Sequence, residues 1–203
     1  MKISILDYGA CNLSSVYNSF KNLGIDAKII NSAKEIIDSE KLIIPGVGAA
    51  KNSIEFLRSL NLFYAILELI EKEKPILGIC LGMQMFSEKL YEDGISRGFS
   101  LLNADVVRFN NNKKITHVGW NKIKITEKYK NFFQLENNSS FYFCHSYFLK
   151  FHEESNLILA STDFKLNFPS IVIKNNFMGV QFHPEKSQAN GLKIIEKFIN
   201  WKP

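Results

Sequence analysis

Short unbroken apolar runs alternate, over the first hundred residues, with segments whose apolar positions recur every three or four. "KISILDYGACNLSSVYNSFKNLG" reads as a strand, a glycine turn and an amphipathic helix, with Gly24 as its stop. "KLIIPGVG" predicts a second strand running into a glycine-rich loop. Helical "SIEFLRSL" and "LFYAILELIEKE" follow, and then the strand "PILGI", which runs into Cys80. Fully apolar strands separated by helices predict a parallel sheet covered on both faces. From about Leu101 the pattern shifts to "LLNADVVRF", "NKIKIT", "FYFCHSYF", "NLILAST", "SIVIK" and "FMGVQFH", which predict antiparallel or mixed sheet added to the first half. "GLKIIEKFINW" predicts a closing helix. The expected fold class is three-layer α/β, a mixed sheet with flanking helices, and its function belongs in loops at the carboxyl ends of the parallel strands.

Composition narrows the picture without redrawing it. A chain of 203 residues suits one core, and no linker divides it, so residues 1–203 are expected to form a single domain. With 46% hydrophobic and 22% charged residues it falls in the globular class. Its longest apolar stretch is too short to span a bilayer, and "MKISILDYG" lacks the features of a signal peptide, so a cytoplasmic protein without membrane association is expected. Cys11, Cys80 and Cys144 are odd in number and show no C-x-x-C spacing, which predicts neither disulfides nor a metal site. The net charge of +5 is spread among glutamates and asparagines with no recognition motif, so no nucleic-acid partner is expected.

Candidate chemistry centres on Gly78-Ile79-Cys80-Leu81-Gly82, which has the spacing of a nucleophile elbow with cysteine in place of serine. A thiol there stands on a strand-to-helix turn, where free amides and the helix dipole favour thiolate. A buried structural cysteine is the competing reading. Of the four histidines, His117, His145, His152 and His183, only the last comes with an orienter: Pro184 extends the chain, so His183 and Glu185 project to one side. The backbone N–H of Leu81 is one oxyanion donor, and "PGVG", residues 45–48, can supply a second, that of Val47.

"PGVG", "GICLGMQ" and "GVQFHPEKS" together resemble the glutamine amidotransferases with a Cys-His-Glu triad, whose fold is flavodoxin-like. "DYGACNLSSV", "HVGWN", "FYFCHSY" and "GLKIIEKF" narrow the likeness to the glutaminase-subunit family of imidazole glycerol phosphate synthases. The resemblance implies that Cys80 attacks the glutamine side-chain amide, that His183 transfers protons and that Glu185 orients it. Gly46, Gly48, Gln84, His145, Ser146 and Tyr147 match the glutamine-binding segments, and no cofactor is implied. Ammonia would pass to a (β/α)8 cyclase/synthase in a heterodimer, forming imidazole glycerol phosphate and the aminoimidazole carboxamide ribotide of histidine and purine synthesis. Asn12, Trp120, Asn121 and Lys186 fall in motifs that resemble its docking face, although Trp120 also suits a core position. Cys144 is expected in the core. Cys11 and Thr116 depart from the family's usual glycine and proline in the expected docking region. They keep open a paralogous subunit feeding a bacterial surface-sugar amidotransferase. A catalytically silent glutamine-binding subunit and a cysteine peptidase of related fold are disfavoured by the intact triad and the "HSY" segment.

Overall fold

The computed structural model describes residues 2–9, 12–109 and 115–203, so Cys11 lies outside the described residues. The strands are β1 (Ile3–Leu6), β2 (Ala27–Ile30), β3 (Lys41–Ile44), β4 (Ile76–Ile79), β5 (Lys89–Leu90), β6 (Ser96–Arg97), β7 (Ala104–Arg108), β8 (His117–Lys122), β9 (Lys124–Ile125), β10 (Ser140–His145), β11 (Tyr147–Phe151), β12 (Ile158–Phe164), β13 (Leu166–Lys174) and β14 (Phe177–Val180). The helices are α1 (Leu13–Asn22), α2 (Ala33–Ile37), α3 (Ala50–Ser59), α4 (Leu62–Glu71), α5 (Leu81–Gln84) and α6 (Gln188–Asn200).

The main sheet has the order β2-β1-β3-β4-β14-β13-β12-β9. Its first five strands are parallel and the remaining pairings antiparallel, which is the expected mixture. Period-two alternation divides each apolar strand between two cores. Ile43 joins one with Val16 and Phe20 of α1 and Ile194 and Phe198 of α6. Leu42 and Ile44 join the other with Ile54 of α3 and Ile66 and Leu69 of α4. Three layers follow from this division, because both sheet faces are apolar and each needs a helical cover.

Helix α1 ends as its glycine predicts. Gly24 has a φ of +71°. The Ile25 N–H bonds the Phe20 carbonyl and the Gly24 N–H that of Lys21, the two bonds of a Schellman motif. Besides the main sheet there are two small ones, β10-β8 and β11-β7-β5-β6. The run "FYFCHSYF" is therefore not one strand. It breaks at Ser146 into β10 and β11, which pair in different sheets. Cys144 also departs from expectation. Alternation buries Phe143 and His145, as the pattern requires, and leaves Cys144 on the exposed face.

Candidate active site

Strand β4 runs straight into Cys80, whose backbone takes φ 53° and ψ −107°, a strained conformation for a side-chain-bearing residue. Close packing makes this turn possible. A Cβ on Gly82 would lie 1.8 Å from the Ile44 carbonyl oxygen, and one on Gly78 would lie 2.7 Å from the Gly82 carbonyl oxygen. Neither glycine can carry a side chain without moving backbone, so the elbow spacing has a steric origin. Leu81 then opens α5, and the Gln84 N–H closes its turn on the Cys80 carbonyl at 3.1 Å.

Strand β14 lies parallel to β4 with Val180 opposite Ile79, so the chain leaving β14 passes beside the elbow. Three residues further on is His183. Its Nδ1 is 2.8 Å from Glu185 Oε1, and both side chains are only 3% exposed. The other Glu185 oxygen is buried and meets no hydrogen-bond donor among the described residues. Burial alone would lower the His183 pKa. The facing, hydrogen-bonded Cys80 side chain and then Glu185 outweigh it and hold the value up at about 10. A cysteine beside a histidine oriented by a carboxylate is the pairing that nucleophilic catalysis by cysteine needs.

A cavity of about 400 Å³ opens on the sulfur, lined by the 47–49 loop, Leu81, Gln84, Glu92, Thr116 and residues 144–147. Gly48 has a φ of +98°, and Val47 is 40% exposed at the cavity's edge. A Cβ on Gly46 would lie 2.5 Å from the Tyr8 hydroxyl, which bonds the Pro45 carbonyl. Gln84 Nε2 lies 2.8 Å from the Tyr147 carbonyl and 3.0 Å from Gln181 Oε1. Sulfur sits 3.9 Å from the Cys144 carbonyl oxygen.

Glu92 had no motif to announce it. It is half-buried, burial raises its pKa, and the Ala50 N–H at the start of α3 donates to it at 2.7 Å. Its only signal was position in the fold, which brings the turn after β5 over the elbow. Thr116 also sits in this cavity, its hydroxyl 2.8 Å from that of Ser146, rather than solely on an outer face.

The residues expected to meet a partner scatter in kind. Trp120 is 51% exposed, which removes it from the core. It packs edge-on against Tyr142 at 6.3 Å, and Lys186 Nζ lies 5.7 Å over the same tyrosine ring, so these three form one surface cluster. Tyr142 was missed, since strand alternation alone gives an outward tyrosine no role. Asn12 caps α1, accepting from the Ser15 N–H at 3.4 Å. Asn121 turns its amide inward, toward His117.

With this geometry in view, likeness to known proteins becomes decisive. The family model "Glutamine amidotransferase class-I" matches residues 4–201. The chain belongs to that family. Relatives of this amidotransferase include the imidazole glycerol phosphate synthase subunit HisH of Caldanaerobacter subterraneus subsp. tengcongensis, 42% identical over 97% of this chain and 96% of that protein. The subunit HisH 2 of Methanococcus maripaludis is also 42% identical, over 97% of this chain and 98% of that protein. The fold of this amidotransferase recurs in the solved structure of PurLQS from Thermotoga maritima, with a TM-score of 0.74 at 16% identity, covering 98% of this chain and 99% of that one. A glutamine amidotransferase from the same organism gives 0.67 at 18% identity, covering 98% of this chain and 84% of that one.

Proposed function

We propose that residues 1–203 act as one domain, the glutaminase subunit of an imidazole glycerol phosphate synthase in histidine biosynthesis. The observation that carries the chemistry is the seating of Cys80, which opens on the cavity, and of the His183–Glu185 pair beyond the ends of two adjacent, hydrogen-bonded strands, with His183 hydrogen-bonded to the sulfur. Relatives of full length that bear the name of that synthase subunit support the pathway.

The Cys80 thiolate attacks the side-chain carbonyl carbon of glutamine, and the carbonyl π electrons move to oxygen. N–H groups of Leu81 and Val47 receive that oxyanion. The carbon–nitrogen bond then breaks as His183 gives its proton to the leaving nitrogen, releasing ammonia and leaving a thioester on Cys80. His183, now neutral, takes a proton from water, whose oxygen attacks the thioester and frees glutamate. The imidazolium and the thiolate are both restored. Glu185 holds one ring tautomer throughout, so the second nitrogen always faces the sulfur.

Gln84 and the 46–48 and 145–147 backbone hold the amino-acid end of the substrate, and Glu92 suits its α-ammonium group. No cofactor enters these steps. Free ammonia is captured by protons in water, so it passes directly into a docked cyclase subunit, a (β/α)8 barrel seated over Trp120, Lys186, Asn12 and the β8 strand of Asn121. The assembly is cytoplasmic. A glutamine-like diazo-ketone tests the reading: it is expected to label Cys80 ahead of Cys11 and Cys144 by mass spectrometry. Label spread over all three thiols, or a Cys80→Ser complex that still hydrolyses glutamine, overturns it.

A further inference from the structure

A line of polar side chains crosses the apolar second half and ends at the nucleophile. At its outer end Asn121 Oδ1 accepts the Lys122 N–H at 2.7 Å, so the amide nitrogen must be the end facing the Asp163 carbonyl at 3.1 Å and His117 Nε2 at 3.2 Å. That nitrogen donates, so His117 Nε2 accepts and carries no proton. His117 Nδ1 meets His145 Nε2 at 3.1 Å, and His145 Nδ1 meets the Tyr147 carbonyl at 2.8 Å. A carbonyl only accepts. His145 therefore carries its proton on Nδ1, receives one from His117 on Nε2, and His117 carries its own on Nδ1.

From the Tyr147 carbonyl the hydrogen bonds continue to the sulfur. Gln84 Nε2 gives one N–H to that carbonyl and the other to Gln181 Oε1, which turns Gln84 Oε1 away from both. Gln181 then presents Nε2 to Cys80 Sγ at 3.6 Å. Every donor and acceptor between Lys122 and Cys80 thus has one allowed sense.

Aromatic side chains cover the faces of the two rings. His117 is sandwiched between Phe143 and Phe164, with centroids at 4.6 and 4.1 Å, and His145 faces Phe109 and Phe168 at 5.3 and 5.1 Å. A proton added to either ring would set two donors head to head. Both rings are accordingly held neutral, with burial lowering His117 to about 4 and His145 to about 3.

We propose that His117 is a positioning residue for glutamine hydrolysis: through His145 it holds the Tyr147 carbonyl, and so sets which way the amides of Gln84 and Gln181 face the substrate and the sulfur. The proposal rests on the glutaminase reading above.

Its test begins with nitrogen-resolved NMR of the histidine-labelled chain. Two rings are expected to hold a proton on Nδ1 and none on Nε2 between pH 6 and 8. A proton on Nε2 of either His117 or His145 overturns the proposal, whether or not any variant folds. The kinetic arm uses His117→Phe, which keeps the aromatic sandwich and removes both polar nitrogens. In the assembled complex, kcat/KM for glutamine is expected to fall roughly tenfold to a hundredfold, as when a catalytic pocket shifts by about an ångström. Synthesis driven by ammonium salt is expected to hold, and the His145 ring should keep its Nδ1 proton on the Tyr147 carbonyl while losing the donor at Nε2. Wild-type glutamine kinetics in His117→Phe sinks the proposal alone. A wild-type complex that hydrolyses no glutamine sinks the functional reading instead.

Discussion

His183 and His145 are equally hidden from water, at 2% and 6% exposure, yet they sit in opposite charge states. One is pushed up to about 10 and the other down to about 3. Burial disfavours the imidazolium at both positions. Of the two, only His183 has Cys80 and Glu185 beside it to reverse that effect. His145 has a carbonyl on one side and another neutral ring on the other. Partner chemistry, rather than depth, decides which buried histidine is held protonated and which is held as a neutral hydrogen-bonding spacer.

The sharpest way to break this contrast is to remove the partner. Cys80→Ser is expected to lower glutamine hydrolysis by on the order of 10⁶-fold, the scale seen when a triad nucleophile is lost. It should also bring the His183 titration down from about 10, visible by NMR, while the His145 signal stays where it was. If His183 still resists deprotonation in that variant, the sulfur is not its main support. Glu185→Gln is the next largest. With tautomer control lost, hydrolysis should fall by on the order of 10⁴-fold, with synthesis from ammonium salt unaffected.

Stability against pH reads the same contrast from both sides. Unfolded histidines titrate near 6.5, whereas folded His117 and His145 wait until about 4 and about 3. The unfolded chain therefore binds more protons below pH 6.5, and this contribution drains away as pH falls through that window. His183 acts in the opposite sense: its folded form keeps the proton up to about 10, so its contribution is complete below 6.5 and is lost as pH rises toward 10. Melting temperatures should show both limbs, with His117→Phe flattening the acid one and Cys80→Ser the alkaline one. Parallel curves for all three proteins would disprove the assignment. The smallest effect expected is at Cys144, whose exposed side chain predicts a change within about 0.5 kcal/mol for Cys144→Ala in urea unfolding.

The part of the candidate site built on Cys80 and on His183 with Glu185 is legible in the sequence. Glycines that exclude side chains leave an exact spacing, 78-80-82, and a histidine with its acid two residues away is equally local. What resisted reading depends on distant segments. Glu92 enters the cavity only because β5 pairs with β7 and β6. Ser146 divides one continuous apolar run between two sheets, which periodicity cannot signal. Cys144 alternated correctly, but its apolar character suggested the wrong side of the sheet. His117 and His145 lie far apart in the chain and become a pair only through the β8–β10 ladder, where they are direct partners.

The pairing of β4 with β14 bears on how such an enzyme can be switched. Gly78 lies opposite Gly179 and Ile79 opposite Val180, inside a sheet whose neighbours on both sides are also paired. Cys80 and His183, the proposed nucleophile and base, follow the ends of these two adjoining strands, so their separation is set by the scaffold. A control signal that worked by pulling them apart would have to unzip the middle of the molecule. The peptide at 46–48, which receives the oxyanion in the proposed reaction, lies outside that ladder, between β3 and α3. In the proposed reaction, a control signal that spares the sheet would therefore act on how the reactant is received and not on the spacing of Cys80 and His183.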